Sequence, residues 1–172
     1  MRGLCFEIFN IFAASGALAG QFEFADDDDV AANSSLMKLH NELAERRALE
    51  LLLRLSMLVR TYDDIMMQSE HAEIYAAHAA KTSGEDYIGT LDTGELTLRE
   101  ACNKIIHARE VRPIYDDVQR DIEEGKEPER VWHLRGEIER MGYQNKKEWN
   151  AVVYVPPFLE IVLDRIEFGW GQ

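Results

Sequence analysis

The segment from Ser35 to about Gln68 places apolar side chains at helical spacing over almost its whole length. The members of this stripe are Leu43, Leu51, Leu52, Leu55, Leu58, Val59, Ile65 and Met66, and charged residues that include Arg46, Glu50 and Asp63 occupy much of the remaining surface. A helix of this length needs other segments to cover its apolar face. The pattern therefore predicts a mainly helical domain, built as a bundle around this long helix.

The C-terminal third of the chain changes from helical to alternating spacing. Trp132, Leu134 and Ile138 alternate over 131–140, and Trp149, Ala151, Val153 and Val155 alternate over 148–155. Gly142 begins the turn between these two segments, which indicates a β-hairpin. Pro156 and Pro157 then open a short final helix. The predicted fold class is mainly α (α+β), a helical bundle with a C-terminal β-hairpin and a final short helix.

Chain length sets the predicted domain organisation. A chain of 172 residues fits one domain, here 1–172, with a helical part at about 1–125 and the hairpin plus last helix at about 130–168. The apolar segment 3–19 is interpreted as a buried helix. The alternative is an export signal, but Glu7 and Asn10 interrupt its apolar run. No membrane association is predicted.

The charge of the chain limits its possible partners. Acidic residues outnumber basic ones by 32 to 19, and the formal net charge is −13. Such a surface repels phosphate backbones, so nucleic-acid binding requires a local basic patch. The same charge suits a basic protein partner. Cys5 and Cys102 match no metal or disulfide spacing, which favours a reducing, cytoplasmic location.

A capping box marks the clearest helix start. Thr97 and Glu100 have the spacing of this motif, and we predict a helix that runs through Ala108 to about Val111. A further short helix is predicted at 115–124. On the capped helix, Arg99, Asn103 and His107 follow one another at intervals of four residues and form a polar ridge.

The sequence Leu98-Arg-Glu-Ala-Cys-Asn103-Lys-Ile-Ile-His107-Ala108 resembles the late helix of the HEPN superfamily, small helical proteins that often act as RNA-cleaving toxins or defence ribonucleases. In that family an arginine stands four to six residues before a histidine and is often followed by Asn. Cys102 occupies the position of the arginine here, and Arg99 lies eight residues before His107.

The resemblance implies a homodimer that cleaves RNA without a metal ion or cofactor. His107 would transfer protons, Asn103 would orient the substrate, and Lys104 or Arg99 would replace the missing arginine at the phosphate. The alternative is that Asn103 and His107 have a structural role only. The chain would then be a non-catalytic interaction or immunity-type module, so the sequence leaves open whether the protein is an enzyme.

Other chemistries lack a signal in the sequence. The histidines and cysteines do not have the spacing of a metal site, and no glycine-rich phosphate loop or nucleophile elbow is present. Arg60 and Asp64 form an i,i+4 pair of opposite charge, which contributes about 0.3–0.5 kcal/mol on an exposed helix. The pair becomes a candidate for more than this weak stabilisation only if it points into the bundle.

Overall fold

The computed structural model describes residues 1–23, 34–82, 87–92, 94–120, 129–144 and 146–168. The helices are α1 (Arg2–Glu23), α2 (Ser35–Met66), α3 (Ala72–Thr82), α4 (Leu98–Ile106) and α5 (Val155–Ile166). The strands are β1 (Gly89–Leu91), β2 (Gly94–Glu95), β3 (Glu110–Arg120), β4 (Glu129–Gln144) and β5 (Lys147–Tyr154).

The strands form one antiparallel sheet in the order β2-β1-β5-β4-β3. Helices α1, α4 and α5 contact this sheet, while α2 packs on α1 and α4. The α+β class is therefore confirmed. The C-terminal hairpin is present as β4 and β5, but it is part of a larger sheet that extends on both sides of it.

The segment after α4 differs most from the prediction. We expected helix up to about Val111 and again over 115–124, but α4 ends at Ile106 and β3 covers Glu110–Arg120. Residues 121–124 lie outside the described residues. Pairing with β4 along the whole length of β3 accounts for the difference, because a long neighbouring strand satisfies the backbone hydrogen bonds of a segment with no strong pattern of its own.

A β-bulge interrupts the pairing of β3 with β4. Ile114 pairs with Glu137 and the next residue, Tyr115, pairs with Leu134, so β4 carries additional residues at this point. Gly136 within the bulge has a φ of +93°, a conformation that favours glycine. The backbone N–H of Leu134 donates to the buried Ser15 hydroxyl of α1 at 2.9 Å. The bulge thereby attaches the sheet to α1.

The N-terminal segment is helical, as predicted, and buries one face. Cys5, Ile8 and Phe12 join the main core, whereas Phe6 and Phe9 are exposed. By length and composition, the stretch Arg2–Gln21 of α1 could cross a membrane, with a mean hydropathy of 1.4. Core helices of soluble proteins and signal sequences share these two properties.

The long helix is continuous from Ser35 to Met66, and its buried face is narrower than its apolar stripe. Leu51, Leu52, Leu55 and Val59 are fully buried. Three members of the predicted stripe, Leu43, Leu58 and Ile65, are instead exposed. Asp63, which we assigned to the polar face, is buried because it pairs with Arg165 of α5.

Candidate functional site

The start of α4 has the geometry that its sequence predicts. The Thr97 hydroxyl accepts from the backbone N–H of Glu100 at 3.3 Å, and the Glu100 carboxylate accepts from the backbone N–H of Thr97 at 3.1 Å. This capping box fixes the start of α4 at Thr97. His107 caps the C-terminus of the helix through its backbone N–H, which donates to Asn103 O at 2.9 Å.

A polar cavity of about 760 Å³ lies where α4, α2, β1 and the tip of the β4–β5 hairpin meet. Its lining residues are Arg60, Leu91, Glu100, Asn103, Lys104, His107, Tyr143 and Trp149. Three of the four residues that the sequence singled out, Asn103, Lys104 and His107, therefore lie together. The volume of the cavity is within the range of small-molecule sites, roughly 300–1,000 Å³.

The face of α4 that lines this cavity is not the predicted ridge. Glu100, Asn103, Lys104 and His107 follow the i, i+3, i+4, i+7 spacing of one helical face. Arg99 is rotated away from the cavity lining, and its Nη1 lies 3.0 Å from Asp64 Oδ1 in an exposed ion pair. The structure thus joins Asn103 and His107, as predicted, but separates Arg99 from them.

Arg60 of α2 supplies the guanidinium of this site. Its Nη1 donates to Asn103 Oδ1, and its Nη2 lies 3.8 Å from Asp64 Oδ2. Its Nε is buried and has no hydrogen-bond partner within the described residues. The pair of Arg60 and Asp64 had been noted in the sequence, but nothing local indicated that Arg60 turns toward α4.

Lys104 and Trp149, which both line the cavity, form a cation–π pair. Lys104 Nζ lies 4.1 Å from the centroid of the Trp149 ring, and the two residues are only 9% and 6% exposed. Gly142 makes this arrangement possible, because a Cβ atom at position 142 would lie 2.4 Å from Cζ2 of Trp149. Burial over an aromatic face holds the Lys104 ammonium in one place.

Tyr143 brings a second aromatic ring to the cavity. It is exposed, and the guanidinium carbon of Arg109 lies 5.7 Å from its ring centroid. Arg109 is held beside β4 by its backbone N–H, which donates to Met141 O at 2.8 Å. Neither Tyr143 nor Arg109 was a candidate from the sequence, in which Tyr143 is part of a predicted turn.

The cavity is locally basic on a strongly acidic protein. Arg60 and Lys104 line it together with the exposed imidazole of His107, and Arg109 lies over the ring of the lining residue Tyr143. The carboxylate of Glu100 is engaged by both the N–H and the hydroxyl of Thr97. Asp64 is shared between Arg60 and Arg99. Such a cluster of cations attracts an anion, above all a phosphate.

Cys102, the residue before Asn103, faces the core instead of the cavity. Its side chain is fully buried, and burial raises the pKa of its thiol to about 12. A thiol in this state is neither a nucleophile nor a metal ligand. Among the described residues, no group of three or more His, Cys, Asp or Glu side chains is placed to hold a metal ion.

The fold and the cavity define this chain as an α+β protein with a cationic, aromatic-lined site between a helix pair and a hairpin tip. No family model, curated protein or solved structure matches the chain.

Proposed function

We propose that the protein is a HEPN-like ribonuclease that binds an RNA phosphate in the cavity around Asn103 and His107 and cleaves it without a metal ion. The observation that carries this proposal is the contact of Arg60 with Asn103. It provides the arginine that the motif lacks, because α2 delivers a guanidinium to the position next to Asn103 while Cys102 is buried. Arg60 would therefore take the role that we first assigned to Lys104 or Arg99.

The cavity residues suit a transesterification by the ribose 2′-hydroxyl. His107, in its neutral form, takes the proton of the 2′-hydroxyl, since imidazole is the usual proton-transfer group near neutral pH. The 2′-oxygen forms a bond to phosphorus, and the bond from phosphorus to the 5′-oxygen breaks. The leaving 5′-oxygen takes up a proton from water, and His107 later releases its proton to solvent. The products are a 2′,3′-cyclic phosphate and a 5′-hydroxyl.

The cations of the cavity would stabilise the charge that develops on the phosphorane. Arg60 offers planar, paired donors, and Lys104 offers a point charge held over Trp149. Asn103 aligns Arg60 through its Oδ1 atom. A protein with a net charge of −13 requires a local basic patch to bind RNA, and Arg60 and Lys104 provide positive charge at the cavity.

Cleavage of an RNA panel in the presence of EDTA tests the proposal. We expect the wild type to cut and His107→Ala to be inactive, because the proton acceptor is lost. His71→Ala is the matched control, since His71 is exposed and does not line the cavity. Arg60→Ala should lower kcat by roughly 10²-fold, as loss of one charge-stabilising donor does, whereas Arg54→Ala on the exposed side of α2 should not.

Two results would contradict the proposal. One is a folded wild type that leaves every RNA intact. The other is His107→Ala cutting at the rate of His71→Ala. The homodimer and the cytoplasmic location that accompany this proposal are tested separately. Light scattering should give twice the chain mass of 19.8 kDa, and fractionation of expressing cells should recover the full-length chain in the cytosol.

A second candidate function is a non-catalytic interaction module for a basic protein. An apolar groove of about 570 Å³ between α1 and α2 favours it, since the exposed side chains of Leu36, Leu39 and Leu43 line this groove. Exposed apolar patches of this kind often mark protein contacts. This function predicts no RNA turnover, together with a partner whose binding is lost in Leu39→Asp.

A further inference from the structure

Tyr143 is the aromatic surface of the cavity that is available to a ligand. It is 58% exposed, and it lines the same space as Arg60, Lys104 and His107. Trp149 does not offer such a surface, because one side of its ring lies against Gly142 and Lys104 Nζ lies over the ring. The cavity thus combines the cationic side chains of Arg60 and Lys104 with the exposed aromatic ring of Tyr143.

Arg109 extends this surface. Its guanidinium lies over the Tyr143 ring, and the backbone bond from Arg109 to Met141 holds it at the edge of β4. Aromatic rings and guanidinium groups are the two protein surfaces on which nucleobases stack. Because stacking uses the flat face that every base possesses, it recognises a base without reading its identity.

We propose that the cavity is a nucleotide subsite, in which the phosphate is bound by Arg60, Lys104 and His107 and the base stacks on Tyr143 beside Arg109. This inference rests on the proposed function for the phosphate position, but it concerns binding and not cleavage. The ligand class is a nucleoside phosphate of any base. It could be a free nucleotide or one residue of an RNA strand, and both have the same base and phosphate chemistry.

Calorimetric titration with adenosine 5′-monophosphate and ribose 5-phosphate tests the base subsite, since the second probe carries a hydroxyl group in place of the base. We expect the wild type to bind the nucleotide about 5- to 150-fold more tightly, the range typical of one stacked base. Tyr143→Ala should abolish this preference, and Tyr143→Phe should keep it. Trp132→Ala is the matched control, because Trp132 is an exposed aromatic residue of β4 that does not line the cavity.

Equal affinity of the wild type for both probes would overturn the inference, as would a preference that persists in Tyr143→Ala. Neither result depends on catalysis. If the nucleotide binds through Tyr143 while RNA stays intact, the base subsite is supported and the ribonuclease proposal is contradicted. If the protein cleaves RNA but shows no preference for the probe with a base, the ribonuclease proposal is supported and the base subsite is contradicted.

The source of the nucleotide follows from a third probe. A 2′-O-methylated trinucleotide has no 2′-hydroxyl to react, so its binding to the wild type is measured without cleavage. Binding more than tenfold tighter than that of adenosine 5′-monophosphate, and weakened by Tyr143→Ala, assigns the subsite to an RNA strand. Equal or weaker binding of the trinucleotide assigns it to a free nucleotide.

Discussion

Arg140 lies on β4 among apolar core residues, with 3% of its surface exposed. Its Nε and Nη2 atoms have no hydrogen-bond partner in the described part of the chain. Burial lowers the pKa of its guanidinium to about 10, so the group is still charged at neutral pH. A buried charge without a partner opposes folding, because its lost hydration is not replaced.

We predict that Arg140→Met raises the free energy of unfolding by about 1–4 kcal/mol, the range for replacement of buried ion pairs by apolar side chains, because here too a buried charge is removed. Urea denaturation at neutral pH measures it. Arg135→Met serves as the control, since Arg135 is half-exposed and forms an ion pair with Glu137 at 3.0 Å. A less stable Arg140→Met protein would mean that the guanidinium is compensated in the folded state.

At the scale of elements, a buried polar cluster joins three helices. The Asp63 carboxylate of α2 accepts hydrogen bonds from the Tyr75 hydroxyl of α3 and from Arg165 Nη1 of α5, the latter at 3.2 Å. Arg165 Nη2 also donates to Ala79 O at 3.3 Å. Asp63 and Arg165 are each only 5% exposed. The cluster fixes how α3 and α5 are placed against the end of α2.

We predict that Asp63→Ala lowers the free energy of unfolding by about 3–5 kcal/mol, because it removes the buried carboxylate that pairs with the Arg165 guanidinium. The neighbouring carboxylate provides a control. Asp64 is half-exposed, so Asp64→Ala should cost less than about 1 kcal/mol. Denaturant unfolding of both variants measures the difference, and equal losses would show that the buried pair contributes no more than the exposed one.

At the scale of the whole molecule, several acidic groups that are buried or partly buried hold their protons more tightly in the folded state. Burial raises the pKa of the Cys102 thiol from 9.0 to about 12. Burial and a hydrogen bond to Glu45 raise the pKa of Tyr115 from 10.0 to about 12. Burial and the bond to Asp63 raise the pKa of Tyr75 as well. The unfolded chain therefore loses these protons at a lower pH than the folded chain.

We predict that the free energy of unfolding is constant below about pH 9 with respect to these groups and falls as the pH rises from 9 to 12. The sign follows because the unfolded state binds fewer protons in this range. Cys102→Ala should have a shallower slope, whatever its absolute stability. Urea denaturation at a series of pH values measures the slopes, and identical slopes for the two proteins would refute a buried, protonated Cys102.

Features encoded within one segment could be predicted from the sequence. The start of α4, the long helix α2, the β4–β5 hairpin and the final helix each have a local spacing or capping signal. The placement of Asn103 and His107 on one face of α4 could be predicted for the same reason, since residues four apart on a helix share a face. Over 115–120, the described part of the predicted helix 115–124, the prediction was wrong because the segment has no strong signal of its own, and its pairing with β4 decides its structure.

The tertiary structure decided the composition of the site. Arg60 precedes Asn103 by 43 residues in the chain, and Tyr143 and Trp149 come after Asn103, on the β4–β5 hairpin. Periodicity describes which face of an element is apolar, but not which other element it meets. The packing of α2 on α4 turns Arg60 toward Asn103, and the ion pair with Asp64 takes Arg99 out of the ridge. Side chains that are distant in the sequence meet only when their elements pack together, and the spacing of residues within one segment does not specify that packing.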